Sequence, residues 1–286
     1  MMHKILVIGA SGMLGSSIFR FLSQFSSYEV WGSVRSSDSS LLFPNAMRPR
    51  IVSGVDVESL DGLISLFSSV RPSVVINCVG LVKQISASES ALAAIPINSL
   101  LPHRLASLCE MAQARLIHFS TDCVFSGCKG MYVESDAPDA RDIYGRSKLL
   151  GEVDYPHAIT LRTSIIGHEL SGARSLVGWF LAQQGVVKGF RRAVFSGLPT
   201  VEIARLVHNN VIPHPELNGI YHVSAEPINK FDLLEIVAKV YGKEIEIQPD
   251  DQLIIDRSLD STRFRKATGF QPAPWQDLVQ SMHNFH

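Results

Sequence analysis

The amino-acid sequence predicts an α/β fold in which a doubly wound parallel sheet is joined to a smaller C-terminal region. Three observations carry that expectation. The apolar run Ile5-Leu6-Val7-Ile8 passes through the turn Gly9-Ala10-Ser11-Gly12-Met13-Leu14-Gly15 into Ser16–Phe25, whose apolar residues recur at helical spacing. Further apolar, β-branched runs alternate with helical patterns, as right-handed strand–helix–strand crossovers require. Residues suited to ligand contact, Gly9, Asp56, Gly80 and Thr121, close successive strands, where doubly wound sheets gather their ligands.

The first unit has a phosphate chemistry of its own. Gly9 and Gly12 allow a tight turn and close approach of a pyrophosphate, and Gly15 lets the helix pack on the strand. Ser11, Met13 and Leu14 complete the loop, and the free N–H groups and positive dipole end of the helix favour an anion. A dinucleotide is therefore expected here. Tyr28–Val34 reads as the second strand and runs into Arg35 with no acidic residue. An acid would bind the ribose 2′-hydroxyl of NADH, whereas an arginine accommodates the 2′-phosphate of NADPH, so Arg35 tilts the expectation to NADPH with NADH left open.

Arg50–Gly54 reads as the third strand, and Asp56 as the N-cap of an amphipathic helix reaching Val70. Ser73–Asn77 is the fourth strand, closed by Cys78-Val79-Gly80; a helix through Asn98 to Ala112 and a fifth strand, Arg115–Ser120, follow. Next comes Tyr144-Gly145-Arg146-Ser147-Lys148, which on a helix puts Tyr144 and Lys148 one turn apart on one face. An ammonium beside a phenol favours the phenolate and brings its pKa down towards neutrality, as proton exchange near pH 7 needs. Beyond Ser164 the pattern predicts helices at Val177–Gln184, Val201–Asn209 and Phe231–Tyr241, and strands at Ile220–Ser224 and Ile245–Gln248.

At 286 residues the chain can bury a large core, and its 46% apolar content is that of a globular protein. The net charge of −1, without blocks of like charge, gives no reason to expect a nucleic-acid or membrane-surface partner. No apolar run approaches the ~18–20 residues of a membrane span and no secretory signal opens the chain, so a cytoplasmic location is expected. The four cysteines lack paired spacing and read mostly as reduced core residues; the ten histidines form no ligand pattern, so no metal is expected.

The ordered set Gly9-x-x-Gly12-x-x-Gly15 with Tyr144-x-x-x-Lys148 resembles the extended short-chain dehydrogenase/reductases. Within them, Ser120-Thr121-Asp122-Cys123-Val124-Phe125-Ser126-Gly127 and Tyr144–Glu152 are most similar to the dTDP-4-dehydrorhamnose reductases and related nucleotide-sugar 4-ketoreductases. The likeness continues in Leu161–Ser164, Gly219–Val223 and the tail from Asp256 to Trp275. It implies an NAD(P)-binding Rossmann-type domain over 1–164 and a mainly substrate-binding region over 165–286, some segments returning to the sheet. It also implies that Tyr144 is the general acid, that Lys148 holds the nicotinamide ribose and lowers the Tyr144 pKa, and that Thr121 binds the carbonyl oxygen. Asn98 matches the family's helix asparagine. Asp56 and Val57 match positions that contact adenine, and Cys78, Val79 and Gly80 those lining the dinucleotide cleft. Lys83, Asp122, Trp179 and Arg263 are the implied substrate contacts.

Two departures bear on the reaction and the sugar. Related 4,6-dehydratases place Asp-Glu after the threonine, whereas here Cys123 follows Asp122; a cysteine is a poor general base for that elimination, which favours simple keto reduction. Ile165 follows Arg162-Thr163-Ser164 where rhamnose-forming enzymes usually carry a pocket tryptophan, so the substrate is either a nucleotide-linked 6-deoxy-4-hexulose of the rhamnose series or a UDP-linked 2-acetamido-2,6-dideoxy-4-hexulose. A nucleotide-sugar epimerase and a non-catalytic dinucleotide-binding subunit remain open alternatives. The family includes homodimers, so a second copy of the chain is a candidate partner.

Overall fold

The computed structural model describes residues 3–81 and 90–285. Seven parallel strands, β1 (His3–Ile8), β2 (Tyr28–Val34), β3 (Ile51–Ser53), β4 (Val74–Asn77), β5 (Arg115–Thr121), β6 (Ala158–Thr163) and β7 (Gly219–His222), form one sheet. They stand in the order β7-β6-β5-β4-β1-β2-β3, so the predicted doubly wound α/β sheet is present. Chain direction across the sheet reverses between β1 and β4, which opens a crevice at their carboxyl ends.

Strand side chains alternate between two apolar layers because successive residues point to opposite faces. Ile5 and Val7 join the layer under the helix Met13–Leu22, while Leu6 and Ile8 join the layer under the helices Leu60–Val70 and Leu101–Met111. The first layer extends into the C-terminal half through Val201, Leu233, Phe264 and Leu278. The buried Ser17 hydroxyl donates to Thr200 Oγ1 at 2.8 Å, tying the first helix to Thr200–Leu206. The rest of the C-terminal half forms small sheets, including Glu246–Asp250 parallel to Val186–Phe190.

Three expectations need correction. The helix expected from Asp56 begins at Leu60: Asp56 Oδ1 instead accepts from Glu58 N–H at 3.0 Å in a local turn, and Ser59 is the N-cap, accepting from Gly62 N–H at 3.1 Å. The segment around Asn98 is broken into Ala91–Ala94, a π-helical stretch Ile95–Leu100 and the α-helix Leu101–Met111. Proline is the cause, since Pro102 has no N–H to give to Asn98 O in α-helical register. Among the cysteines Cys109 is buried, Cys78 and Cys123 are half-buried and Cys128 is exposed, so a core placement does not describe Cys128.

Candidate active site

The glycine turn sits at the switch of strand order, and its three glycines do three different things. Gly9 has φ +82°, and a Cβ there would lie 2.7 Å from Val79 Cγ2 in the turn after β4. A Cβ on Gly15 would lie 2.1 Å from Gly9 O, so this position admits only glycine where helix meets turn. Gly12 faces open space: its added Cβ would meet only Gly9 O, at 3.4 Å. Gly12 is also the N-cap of Met13–Leu22 and makes no side-chain cap, leaving the first helical N–H groups, including those of Met13 and Leu14, directed outward beside Ser11. This cradle of bare backbone and uncapped donors fits a dinucleotide pyrophosphate.

Around the cradle stand Arg35, exposed directly past β2, the exposed Asp56 and half-buried Val57 past β3, and Cys78, Val79 and Gly80 past β4. Asn77, the last residue of β4, accepts the Val79 N–H at 3.1 Å and so shapes that turn.

At the neighbouring strand end Thr121 closes β5. Its hydroxyl donates to Asp122 Oδ1 at 3.0 Å and accepts the Cys123 N–H at 3.1 Å. The helix Ile143–Leu150 is started by Asp142, which accepts the Gly145 N–H at 2.7 Å, and it brings the Tyr144 phenol beside Thr121. The helix seats closely because a Cβ on Gly145 would lie 2.3 Å from Cys123 O. Burial, followed by the charges of Cys123 and Asp122, pushes the Tyr144 pKa above its ordinary value, while the Thr121 hydrogen bond pulls it back. Lys148 is buried and its Nζ donates to Phe119 O at 2.7 Å. Burial pulls its pKa down to about 8, opposed by Glu152 and Cys78. The expected lowering of the Tyr144 pKa by Lys148 is thus not what this geometry produces: the ammonium is turned to a backbone carbonyl and desolvation of the phenol dominates.

Asn98 binds this helix to the cleft. Its Oδ1 accepts the Leu81 N–H at 2.9 Å, and its Nδ2 donates to Ser147 Oγ at 3.1 Å and to Leu81 O at 3.3 Å. A Cβ on Gly80 would lie 3.4 Å from Asn98 Oδ1 and 3.9 Å from Lys148 Nζ, so Gly80, Asn98 and Lys148 share one wall.

Asp122 is buried, and desolvation raises its pKa against the pull of Thr121 and Arg257. Two cations that the sequence reading passed over face this loop from the C-terminal half. Lys230, the first residue of the helix Lys230–Tyr241, interacts with Asp122 and Cys123, and Arg257 donates from Nε to Phe125 O at 2.8 Å. Lys230 lies in no motif and Arg257 falls in the tail Asp256–Trp275 with no signal of its own, so only the packing of both halves brings them here. Trp179 lies on the helix Leu176–Ala182 with 39% of its surface exposed; that helix is tied behind β6 by the Ser175 hydroxyl donating to Gly167 O at 3.1 Å. Arg263 is not brought to the cluster: it donates to Ile220 O at 2.9 Å and lies 4.3 Å over the Tyr221 ring on edge strand β7. By strand register Ile220 is two strands away from β5 and opposite its His118, three residues before Thr121. Lys83 lies outside the described residues.

A family model described as the RmlD substrate binding domain matches residues 2–285. The chain is 26% identical to a dTDP-4-dehydrorhamnose reductase of Aggregatibacter actinomycetemcomitans, covering 99% of each protein. It is 32% identical to the probable low-salt glycan biosynthesis reductase Agl14 of Haloferax volcanii over 60% of this chain and 57% of that relative. Among solved structures, a dTDP-4-dehydrorhamnose reductase from Bacillus anthracis in complex with NADP superposes with TM-score 0.79 at 18% identity, covering 99% of each chain; that likeness is one of fold.

Proposed function

The chain belongs to the RmlD substrate binding domain family, and on that premise we propose that it reduces the 4-keto group of a nucleotide-linked 6-deoxy-4-hexulose with NADPH in deoxysugar and polysaccharide biosynthesis. The observation that carries the reading is the meeting of Tyr144 with Thr121 at the end of β5, beside Lys148 and the wall of the glycine cradle. The full-length relation to a dTDP-4-dehydrorhamnose reductase supports the substrate class. Gly9–Gly15 hold the pyrophosphate, Arg35 meets the 2′-phosphate, Asp56 and Val57 flank the adenine, and Cys78–Gly80 line the cleft. Residues 1–164 serve the dinucleotide and 165–286 mainly the sugar.

A dinucleotide held in this cradle would supply the hydride chemistry for reduction at the ketone carbon. The Thr121 hydroxyl orients the carbonyl oxygen and stabilises the charge that develops on it. Tyr144, whose buried phenol keeps its proton at neutral pH, donates that proton to the same oxygen. Lys148 holds the nicotinamide ribose. Lys230 and Arg257 are better placed than Arg263 to meet the anionic half of a nucleotide sugar beside Asp122, and the family likeness adds Trp179 and Lys83 as substrate contacts. Cys123 in place of a glutamate leaves the site without the second acid of an elimination, which favours a reductase.

Among the described residues no helix is long and apolar enough to cross a membrane, and the reading assigns the protein to the cytoplasm. The decisive experiment follows NADPH oxidation, with NADH in parallel, against dTDP- and UDP-linked 4-keto-6-deoxysugars, 2-acetamido derivatives included. Stoichiometric oxidation with one sugar series and formation of its 4-hydroxy product is expected. Absence of turnover with every sugar and both coenzymes would overturn the reading.

A further inference from the structure

A polar chain runs beneath the cleft and ends in a donor with nowhere to go. Asn77 Oδ1 is engaged by the Val79 N–H at 3.1 Å, which leaves its Nδ2 to face His118 Nδ1, also at 3.1 Å. Nδ1 must then accept, and a neutral imidazole that accepts at Nδ1 carries its proton on Nε2. His118 is completely buried, and its Nε2 has no hydrogen-bond partner. A buried N–H without an acceptor costs free energy, so such groups are satisfied by protein or by internal water.

The surroundings say what that water would do. His118 is directly followed by Phe119, whose carbonyl accepts from Lys148 Nζ at 2.7 Å. The ammonium has three hydrogens and this bond uses one. The helix packed against Ile143–Leu150 is π-wound over Ile95–Leu100, a geometry that displaces carbonyls from α-helical register and makes room for an inserted water. Lys148 and His103 are the charged or titratable groups close enough to His118 to act on its charge; Glu152 and Cys78 are those that act on Lys148.

We propose that His118 is a positioning residue for Lys148: its Nε2–H holds one internal water against the Lys148 ammonium and thereby couples that ammonium to the Asn77–Val79 turn of the dinucleotide cleft. The coupling deepens the reductase reading, since it assigns a means of setting the charge and place of Lys148. The water accepts from Nε2–H and donates to a carbonyl oxygen. As a polar neighbour in an otherwise desolvated site it also favours the charged lysine over the neutral one.

The test does not use turnover, so it stands or falls apart from the substrate assignment. In the full-length protein, the Lys148 side chain is titrated by carbon-13 NMR in the parent and in His118→Phe, His118→Gln and His118→Asn. Phenylalanine keeps the volume and removes both nitrogens, glutamine keeps a donor near Nε2, and asparagine keeps an acceptor near Nδ1 but reaches no donor to the Nε2 position. The proposal expects the Lys148 titration to move to lower pH in the phenylalanine and asparagine variants and to return towards the parent with glutamine. Identical Lys148 titrations in all four proteins would overturn it. Nitrogen-15 NMR of the parent supplies a second check that needs no variant: the Nε2–H tautomer of His118 is expected, and an Nδ1–H ring would overturn the proposal even if every variant failed to fold.

Discussion

Tyr144 and Lys148 lie one turn apart on the same helix, yet their polar ends face different groups: the phenol stands beside Thr121, and Lys148 Nζ donates to Phe119 O at 2.7 Å. The division separates a proton donor from a charge that holds ligand. Replacing Tyr144 by phenylalanine removes the proton without disturbing the glycine cradle. Reductase kcat is expected to fall about 10²–10⁴-fold, the usual contribution of a positioned acid, with dinucleotide affinity nearly unchanged by fluorescence titration. Unchanged turnover would remove Tyr144 from the mechanism.

The pH dependence should report the lysine rather than the tyrosine. Burial brings Lys148 down to about 8 and raises Tyr144, so on raising the pH the lysine loses its proton first. An alkaline limb in kcat/KM for reduction is therefore expected near pH 8, because that ratio follows groups of the free enzyme. A limb that first appears above pH 10 would assign it to the phenol instead.

Gly12 and Gly15 should fail in different ways when changed to alanine. At Gly15 the new methyl would sit 2.1 Å from Gly9 O and force helix from turn. Gly15→Ala is expected to lower stability by about 1–3 kcal/mol, the usual cost of overpacking, as well as weakening the dinucleotide. Gly12→Ala meets only Gly9 O at 3.4 Å, so it should melt with the parent while losing affinity, its methyl occupying the approach path of the pyrophosphate. Thermal melts with and without dinucleotide distinguish the two.

Behind the site, Arg162 and Glu152 form a buried pair, with Nη2 donating to Oε2 at 2.7 Å and Nε to Oε1 at 2.8 Å. Ser120 also donates to Glu152 Oε1 at 2.6 Å, and Arg162 Nη1 lies 3.3 Å from His222 Nε2. Glu152→Ala leaves the guanidinium buried without its partner and should cost about 3–5 kcal/mol in denaturant unfolding.

The same network makes stability fall in mild acid. Burial, then the Arg162 charge, pulls His222 from its ordinary value to about 4, so between pH 6.5 and about 4 the unfolded chain binds a proton that the folded chain does not. Unfolding free energy is therefore full above about pH 6.5 and declines as pH falls towards 4, by roughly 3 kcal/mol from this group alone. Denaturant midpoints across that range check the slope; a flat profile would place His222 outside the linkage.

The first half of the fold was legible because its signals are local. An apolar run, a glycine turn and an amphipathic segment each state their geometry within a few residues, and β1 to β5 stand within a residue or two of where the pattern puts them. Tyr144 and Lys148 were legible for the same reason, as helical spacing is set by the backbone alone. The start of the helix at Leu60 was misplaced because Asp56 and Ser59 both suit an N-cap, and the choice between them rests on which oxygen reaches which N–H.

What sequence alone determined about this protein is its α/β class, the pyrophosphate cradle and the pairing of phenol with lysine, all written in short-range spacing. Tertiary structure alone decided the rest. It carried Arg263 to the outer edge of the sheet, brought Lys230 and Arg257 from the far half of the chain to face the Asp122 loop, and turned Lys148 to Phe119 O. The physical reason is common to all of these. Desolvation and hydrogen-bond partners belong to the packed neighbourhood of a side chain, and residues from 29 to 132 positions apart in the sequence supply that neighbourhood.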